Sequence, residues 1–406
     1  MERITARILE IKSQAEAKAA INKIGCDPGG LGIMIPKAVH RVVKVENIRP
    51  QAAQILKQEM LSKGGEVAVP RGVIGCSVDL CDVLLLGTKR QYSELCKKLK
   101  AQPFRLQEIS QAIQDCLSNY SEKESLELNC RGIKLPLGKK TLVMGILNIT
   151  PNSFSDGGRF FDKEKAVEHA LEMIELGADI IDIGGESTNP RAEYVPAEEE
   201  IARVLPILEA LVPILKVPIS VDTYKPRVAR ACLDAGAHII NDIWGLQYDK
   251  EPEMAAVVGD YPDAPVVIMH NQSGTNYQDL IGDMFKFFMR SIELAKGAGI
   301  MDQSIILDPG IGFGKTTEQN LQVMARLGEF KSLGYPILLG TSRKSMIGNT
   351  LDLPSEERVE GTGATVALGI AYGCDIMRIH DVKEMTRICR MTDAIVRSQR
   401  GKGYAG

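Results

Sequence analysis

At 406 residues the chain is longer than one compact domain usually runs, so two domains are expected. Its 44% hydrophobic and 25% charged residues are those of an ordinary globular protein. A net charge of −3 offers no basic footprint for nucleic acid or an anionic membrane, and no apolar run reaches the roughly 20 residues of a bilayer span.

Met1–Thr5 lacks the apolar stretch of a signal peptide, so the cytoplasm is the expected compartment. The nine cysteines fit it. Their number is odd, no Cys-x-x-Cys occurs, and Cys76 and Cys81 have no clustered histidine beside them. Reduced, mostly buried thiols are expected rather than a zinc site.

In chain order, Arg3–Ile11, His40–Val45, Glu66–Val69 and Asp82–Leu86 read as strands. Residues 14–23, 50–62, 91–99 and 107–118 read as helices. Residues 1–120 are thus expected as a small α+β domain, without repeat, low-complexity tract or motif to which chemistry attaches. Residues 121–125 form a polar linker, and residues 126–406 form the second domain. Leu126–Leu137 alternates apolar and polar around Arg131-Gly132, a β-hairpin pattern.

Eight short β-rich runs follow: Thr141–Leu147, Asp179–Ile183, Val217–Val221, His238–Ile240, Pro265–Met269, Ser304–Leu307, Pro336–Leu339 and Asp375–Ile379. Helical patterns separate most of them. After Asp162, placed to cap a helix, Val167, Ala170, Leu171 and Ile174 share one helical face, and Gly177 ends it. Strands alternating with helices imply a parallel sheet, and eight units match a (β/α)8 TIM barrel, with the hairpin as a plug for its open bottom. A doubly wound sheet is the competitor, but no glycine-rich dinucleotide turn follows the first strand.

A barrel carries its active site at the C-terminal strand ends. Here the strands run into Asn148 with Thr150, Gly184–Thr188, Asp222-Thr223, Asn241-Asp242, His270-Asn271, Asp308-Pro309, Thr341–Ser345, and Arg378 with His380-Asp381. A single Asp or Asn at such a place serves equally well as a helix cap. Eight polar ends in phase describe a pocket. The acids and amide (Asp222, Asn241, Asp308) suit a flat heterocycle with an amino-amidine edge, because a carboxylate accepts two parallel N–H bonds. Lys344, Arg378 and His380, with Asn148, suit a phosphorylated leaving group and its metal. The two sets together suggest a heterocycle bearing a diphosphate. Composition alone does not identify pterin. Two long polar segments, Asn152–Arg159 and Glu186–Pro196, are expected as mobile lids over this rim.

Met144–Pro151 with Ser153–Gly158, Asp182–Thr188, Ser220–Thr223, Ile240–Ile243, Leu307–Gly310 with Gly312–Lys315, Ser342–Ser345 and Arg378–Val382 stand in one order over about residues 126–400. This set resembles the signatures of the dihydropteroate synthases. The resemblance implies condensation of 6-hydroxymethyl-7,8-dihydropterin diphosphate with p-aminobenzoate to 7,8-dihydropteroate and diphosphate, on an SN1-like path. It implies that Asp222, Asn241, Asp308 and Lys344 bind the pterin ring, with Met269 lining its slot. Asn148 would bind Mg²⁺, while Arg378 and His380 hold the diphosphate and Thr188 lies near it. Phe154, Pro190 and Phe313 would flank the p-aminobenzoate ring, and Ser345 would receive its carboxylate. Arg358 resembles a family arginine on the rim, Asp156 would help order the lids, and a homodimer is the family expectation. The sequence departs from the family at Thr188-Asn189-Pro190-Arg191, where an arginine is usual at the position of Asn189; Arg191 is expected to substitute.

Rival readings account for less. A methyltetrahydrofolate–corrinoid methyltransferase would need no diphosphate subsite. A non-catalytic pterin-binding protein would have no need for the intact polar set. An unrelated phosphate-binding barrel leaves the amide and carboxylates unexplained. Gly312–Lys315 lacks the Walker spacing. His270 is as well suited to a structural hydrogen bond as to function, His238 to a structural one, and Trp244 to packing over the rim.

Overall fold

The computed structural model describes residues 4–121, 127–149, 158–186, 194–248 and 252–397, with backbone alone for residues 158–162. The chain divides into two compact units, one built mainly on Met1–Glu122 and the other on Lys123–Lys331 and Tyr335–Arg397.

The first unit runs α1 (Gln14–Ile24), α2 (Pro28–Met34), β1 (His40–Ile48), α3 (Pro50–Leu61), β2 (Glu66–Ala68), β3 (Cys81–Thr88), α4 (Lys89–Leu99) and α5 (Leu106–Tyr120). The strands form an antiparallel sheet in the order β1-β3-β2. Val43, Val67, Val83 and Leu85 bury the alternate positions of one face against Leu56, Met60, Tyr92, Leu95, Leu99 and Ile113 of the helices. Thr88 opens α4 with a reciprocal capping box to Gln91. The strand expected over Arg3–Ile11 does not form in the described part, 4–11. Its alternation is real, but strand conformation needs a neighbouring backbone; β1 pairs only with β3, and Ile4 and Ile8 stay 98% and 95% exposed. Helix α2 is hidden in the sequence by its glycines, although Asp27, whose carboxylate takes the N–H of Gly29 at 2.7 Å, and Pro28 mark its start.

The second unit begins with a hairpin, β4 (Glu127–Cys130) and β5 (Ile133–Pro136). Then come β6 (Leu142–Asn148), α6 (Gly158–Glu175), β7 (Ile180–Gly184), α7 (Ala197–Leu211), β8 (Ile219–Asp222), α8 (Pro226–Asp234), β9 (Ile239–Asp242) and α9 (Glu253–Gly259). The rest is β10 (Val266–Met269), α10 (Leu280–Gly297), β11 (Ile305–Asp308), α11 (Thr317–Ala325), β12 (Leu338–Leu339), α12 (Ser345–Leu351), α13 (Val359–Tyr372), β13 (Ile376–Ile379) and α14 (Val382–Val396). Helix α6 starts at Gly158, about a turn before Asp162, which therefore lies inside the helix rather than at its cap.

The eight strands are parallel in the order β11-β10-β9-β8-β7-β6-β13-β12, and a parallel bridge from Leu307 to Ile337 joins the two ends into a barrel. Strands covered on both faces are mainly apolar, and β7 to β11 are buried at every residue. The hairpin closes the bottom. Leu128, Cys130, Leu135 and Leu137 pack with Leu142, Ile180, Ile239, Leu338 and Ile376, all at the N-terminal starts of strands. Arg131 fixes the hairpin turn from outside, donating to the carbonyls of Leu233 and Ala237 at 2.7 and 2.6 Å. Each buried Leu or Ile there contributes roughly 1.5–3 kcal/mol.

Candidate active site

Register sets the first layer of the site. Asn148 pairs with Gly184, Gly184 with Asp222, and Asp222 with Asn241, so these four stand side by side at the C-terminal ends of β6 to β9. Met269 and Asp308 pair at the ends of β10 and β11. From β13, Arg378 reaches across the mouth: Nε donates to Asp182 Oδ2 and Nη2 to Asp222 Oδ2, both at 2.6 Å. Gly340, after β12, has Arg378 and Asp308 on its two sides; a Cβ there would lie 3.8 Å from Arg378 Cβ and 3.9 Å from Asp308 Oδ2. The acids and amide of the middle strands and the cation of the last strand therefore converge in one recess, the C-terminal mouth of the barrel.

Burial governs the charges of this recess. It pushes Asp222 up to about 7, against the opposing pull of Arg378. Asp308 is also raised by burial, opposed by the N–H of Gly310 at 2.7 Å and by Lys344 and Arg378. Burial lowers Lys344 to about 8. Arg378 moves the other way, because Asp182 and Asp222 outweigh its desolvation. Among the described residues, Asp182 Oδ1 and Asn241 Oδ1 are buried side-chain oxygens without a hydrogen-bond partner, while Asn241 Nδ2 faces Asp182 Oδ2 at 3.4 Å. A buried acceptor left open in a polar pocket is one that a ligand N–H can fill.

Strict backbone geometry shapes the β11 side. Gly310 has φ +64°, and a Cβ on it would sit 2.0 Å from the His270 carbonyl oxygen; Gly312 has φ +87°, and its Cβ would meet Lys344 Cδ at 2.8 Å. Only glycine lets the loop pass so close. Lys344 Nζ donates to the Ile311 carbonyl at 2.7 Å and lies 4.0 Å over the ring of Phe313. Lys315 is buried beneath and bridges His270 Nδ1, Gly310 O and Phe313 O, each at 3.0 Å. Burial and Lys315 together drive His270 down to about 2, so it is a neutral, structural imidazole. His238 is structural too, accepting the N–H of Ile219 at 3.2 Å.

On the β13 side, His380 Nδ1 lies 3.0 Å from Ser342 Oγ, and burial with neighbouring Arg378 and Arg343 lowers it to about 4. The sequence alone places His380 among the cations; burial and the two arginines outweigh neighbouring Asp381 and leave the ring neutral at pH 7. Arg343 is paired to Asp381. Arg358 donates to the carbonyls of Leu353 (3.0 and 2.9 Å) and Arg343 (2.9 Å), so on the rim it fastens backbone. Ser345 is exposed at the first position of α12. Asn148 is exposed, its Oδ1 3.9 Å from where a Gly184 Cβ would stand.

A cleft of about 500 Å³ opens beside this recess, lined by Asp222, Phe313, Trp244, Tyr224, Glu186 and Glu200 among others. Phe154, Asp156, Thr188, Asn189, Pro190 and Arg191 lie outside the described residues, as does most of both expected lids. Sequence reasoning leaves Asp182, Lys315 and the Glu186–Glu200–Lys225 cluster without a role. Asp182 carries a usable signal: it is a charged residue in an otherwise apolar, fully buried strand, two positions before Gly184 and hence on the same inward face. Among the described residues no three His, Cys, Asp or Glu side chains gather to hold a metal.

The family description "Pterin binding enzyme" matches residues 144–380. The chain is 57% identical over 258 residues to the dihydropteroate synthase of Bacillus subtilis (strain 168), covering 64% of this chain and 90% of that protein. A crystal structure of dihydropteroate synthase from Clostridium difficile in the presence of pteroic acid superposes with a TM-score of 0.63 at 54% identity, covering 64% of this chain and 98% of that one. A probable bifunctional folylpolyglutamate synthase/dihydropteroate synthase of Halobacterium salinarum is 39% identical over 392 residues, 95% of this chain, which spans 46% of that protein. With the barrel, the strand-end layer and these likenesses together, the chain belongs to the dihydropteroate synthases, within the pterin binding enzymes.

Proposed function

We propose that the barrel condenses 6-hydroxymethyl-7,8-dihydropterin diphosphate with p-aminobenzoate, releasing 7,8-dihydropteroate and diphosphate. The observation that carries the reading is the joining of Asp182, Asp222 and Arg378 in one buried cluster beside the open acceptor of Asn241. The pteroic acid present with the C. difficile enzyme unites a pterin with p-aminobenzoate, the two halves this site would join.

Asp222, Asn241 and Asp308 accept the pterin N–H groups, Lys344 donates to its ring acceptors, and Met269 lines the slot. Arg378 and His380 hold the diphosphate, with Asn148 and Thr188 beside it. Arriving anionic oxygens raise His380 from about 4, so its ring becomes a charged donor as the leaving group seats. Phe313, with Phe154 and Pro190, flanks the p-aminobenzoate ring, and Ser345 takes its carboxylate. The methylene C–O bond to diphosphate breaks, the electron-rich pterin shares the positive charge, and a C–N bond forms to the amine, which loses a proton. This SN1-like order asks for no protein nucleophile.

Magnesium fits the donor set in one way. A lone amide oxygen, Asn148 Oδ1, does not make a cage, but a hard cation bound through substrate phosphates and water needs few protein ligands. When bound, it would neutralise charge on the departing diphosphate. We place the enzyme in the cytoplasm as a homodimer, with residues 126–406 as the catalytic domain and residues 1–120 as an accessory one. The test is p-aminobenzoate-dependent release of pyrophosphate, with 7,8-dihydropteroate identified by mass. Release that ignores p-aminobenzoate would refute the assignment.

A further inference from the structure

Lys225 is a buried cation that the reaction as drawn does not use. It follows β8 three residues after Asp222, and its N–H donates to Thr223 Oγ1 at 3.2 Å. Its ammonium bridges two carboxylates, Glu186 just beyond β7 and Glu200 of α7, the latter at 2.5 Å. The rings of Tyr194 and Tyr224 each stand 4.9 Å from Nζ. Burial works against the charge of Lys225, but its hydrogen bonds to Glu186 and Glu200 outweigh that and raise it.

Glu186 extends the connection. Its Oε1 faces the N–H of Val195 at 3.4 Å and the hydroxyl of Tyr224 at 3.5 Å, and the carbonyl of neighbouring Gly185 accepts from Arg203 at 2.9 Å. Two stretches of chain nine residues apart, at Glu186 and Val195, are thereby tied to each other and, through one ammonium, to the end of β8. Glu186 and Glu200 also line the cleft that holds Asp222 and Phe313. Two adjacent carboxylates are tolerated in that wall because a cation lies between them; without it they repel or take up a proton.

We propose that Lys225 is a positioning residue for the p-aminobenzoate side of the cleft: by holding Glu186 and Glu200 together it fixes their part of the wall, in the cleft that Phe313 also lines, relative to the pterin acid Asp222. The inference rests on the reading of the cleft given above. Asp222 is held by the strand pairing of β8 and by Arg378 rather than by this bridge, so displacement of the wall weakens the second substrate and spares the first. Misplacement by about 1 Å is enough to cost up to ~100-fold.

The experiment measures both KM values and kcat in the full chain for Lys225→Met, Lys225→Arg and Glu186→Gln. For Lys225→Met, KM for p-aminobenzoate should rise about tenfold or more, while KM for the pterin diphosphate stays within about twofold. Lys225→Arg should recover most of the loss, because its planar fork can serve two carboxylates. Equal rises in both KM values, no rise, or a failure of arginine to rescue would overturn the proposal. If Lys225→Met does not melt cooperatively, Glu186→Gln decides: it keeps the shape and the acceptor for Val195, and it should shift KM for p-aminobenzoate alone. A parent enzyme that makes no dihydropteroate would instead refute the function, leaving a different and recognisable failure.

Discussion

Arg378 Nη2 lies 2.6 Å from Asp222 Oδ2, so the last strand in sequence is bound across the barrel mouth to the third, with β6 and β7 between them in the sheet. The same guanidinium holds Asp182 at 2.6 Å. The group expected to grip diphosphate is thus bound to Asp222, an acid expected to hold the pterin, and to buried Asp182. Arg378→Met would leave two buried carboxylates without their cation. A loss of about 3–5 kcal/mol in unfolding free energy is expected, read from urea midpoints, together with loss of turnover. Unchanged stability would show that the acids are not held by this ion pair.

Asn241 presents the opposite case. Among the described residues its Oδ1 has no partner and its Nδ2 makes a long contact at 3.4 Å, so the protein alone gains little from the amide. Asn241→Leu is expected to weaken binding of 6-hydroxymethylpterin about 10- to 100-fold while changing unfolding free energy by less than about 1 kcal/mol. Titration calorimetry beside thermal melting checks the pair. Destabilisation without loss of affinity would make Asn241 a scaffold residue.

Lys315 joins the ends of β10 and β11 through His270, Gly310 and Phe313. Lys315→Met leaves two carbonyls and a ring nitrogen unanswered and is expected to cost about 1–3 kcal/mol. Because Phe313 loses its anchor, KM for p-aminobenzoate should rise as well. A melting curve like the parent's would count against the bridge.

The folded state holds His270 near 2, far below the roughly 6.5 of an unfolded histidine. The unfolded chain therefore takes up a proton below pH 6.5 that the native protein refuses. Stability is complete above that pH and declines as pH falls toward 2, by up to about 1.4 kcal/mol per pH unit from this residue. His380, lowered to about 4, and His238, also lowered, add in the same direction. Asp222 and Asp308, raised by burial, act in the opposite direction, so the His270 share of the slope is read against His270→Gln: relative to the variant, the parent's urea midpoint should drop from pH 7 to 6 to 5. An identical slope in the variant would exclude His270 as its source.

At the barrel bottom, Leu128→Ala removes a side chain with no exposure from the plug. A cost of about 2–5 kcal/mol is expected, with both KM values unchanged because the hairpin closes the end away from the polar rim. Changed KM values with little loss of stability would contradict that separation.

Much of this was written in local pattern. Alternation of β-rich runs with helical periods pointed to a parallel barrel, because strands covered on both faces are mainly apolar, and the abrupt change to Asn148, Asp222, Asn241 and Asp308 marked the working rim. The same logic failed where a partner in space decides the outcome. The alternating Arg3–Ile11 finds no neighbouring edge in its described part, and α6 reaches back past Asp162.

Sequence by itself determined which strand ends carry polar groups and the family signatures they compose, because both are properties of residue order. Tertiary structure alone decided the charges and alliances: that Arg378 clasps Asp182 and Asp222, that Lys225 binds Glu186 and Glu200, and that His270 and His380 stay neutral. Those follow from burial and from contacts between residues up to 196 positions apart, and no periodicity along the chain encodes how deeply a side chain is removed from water.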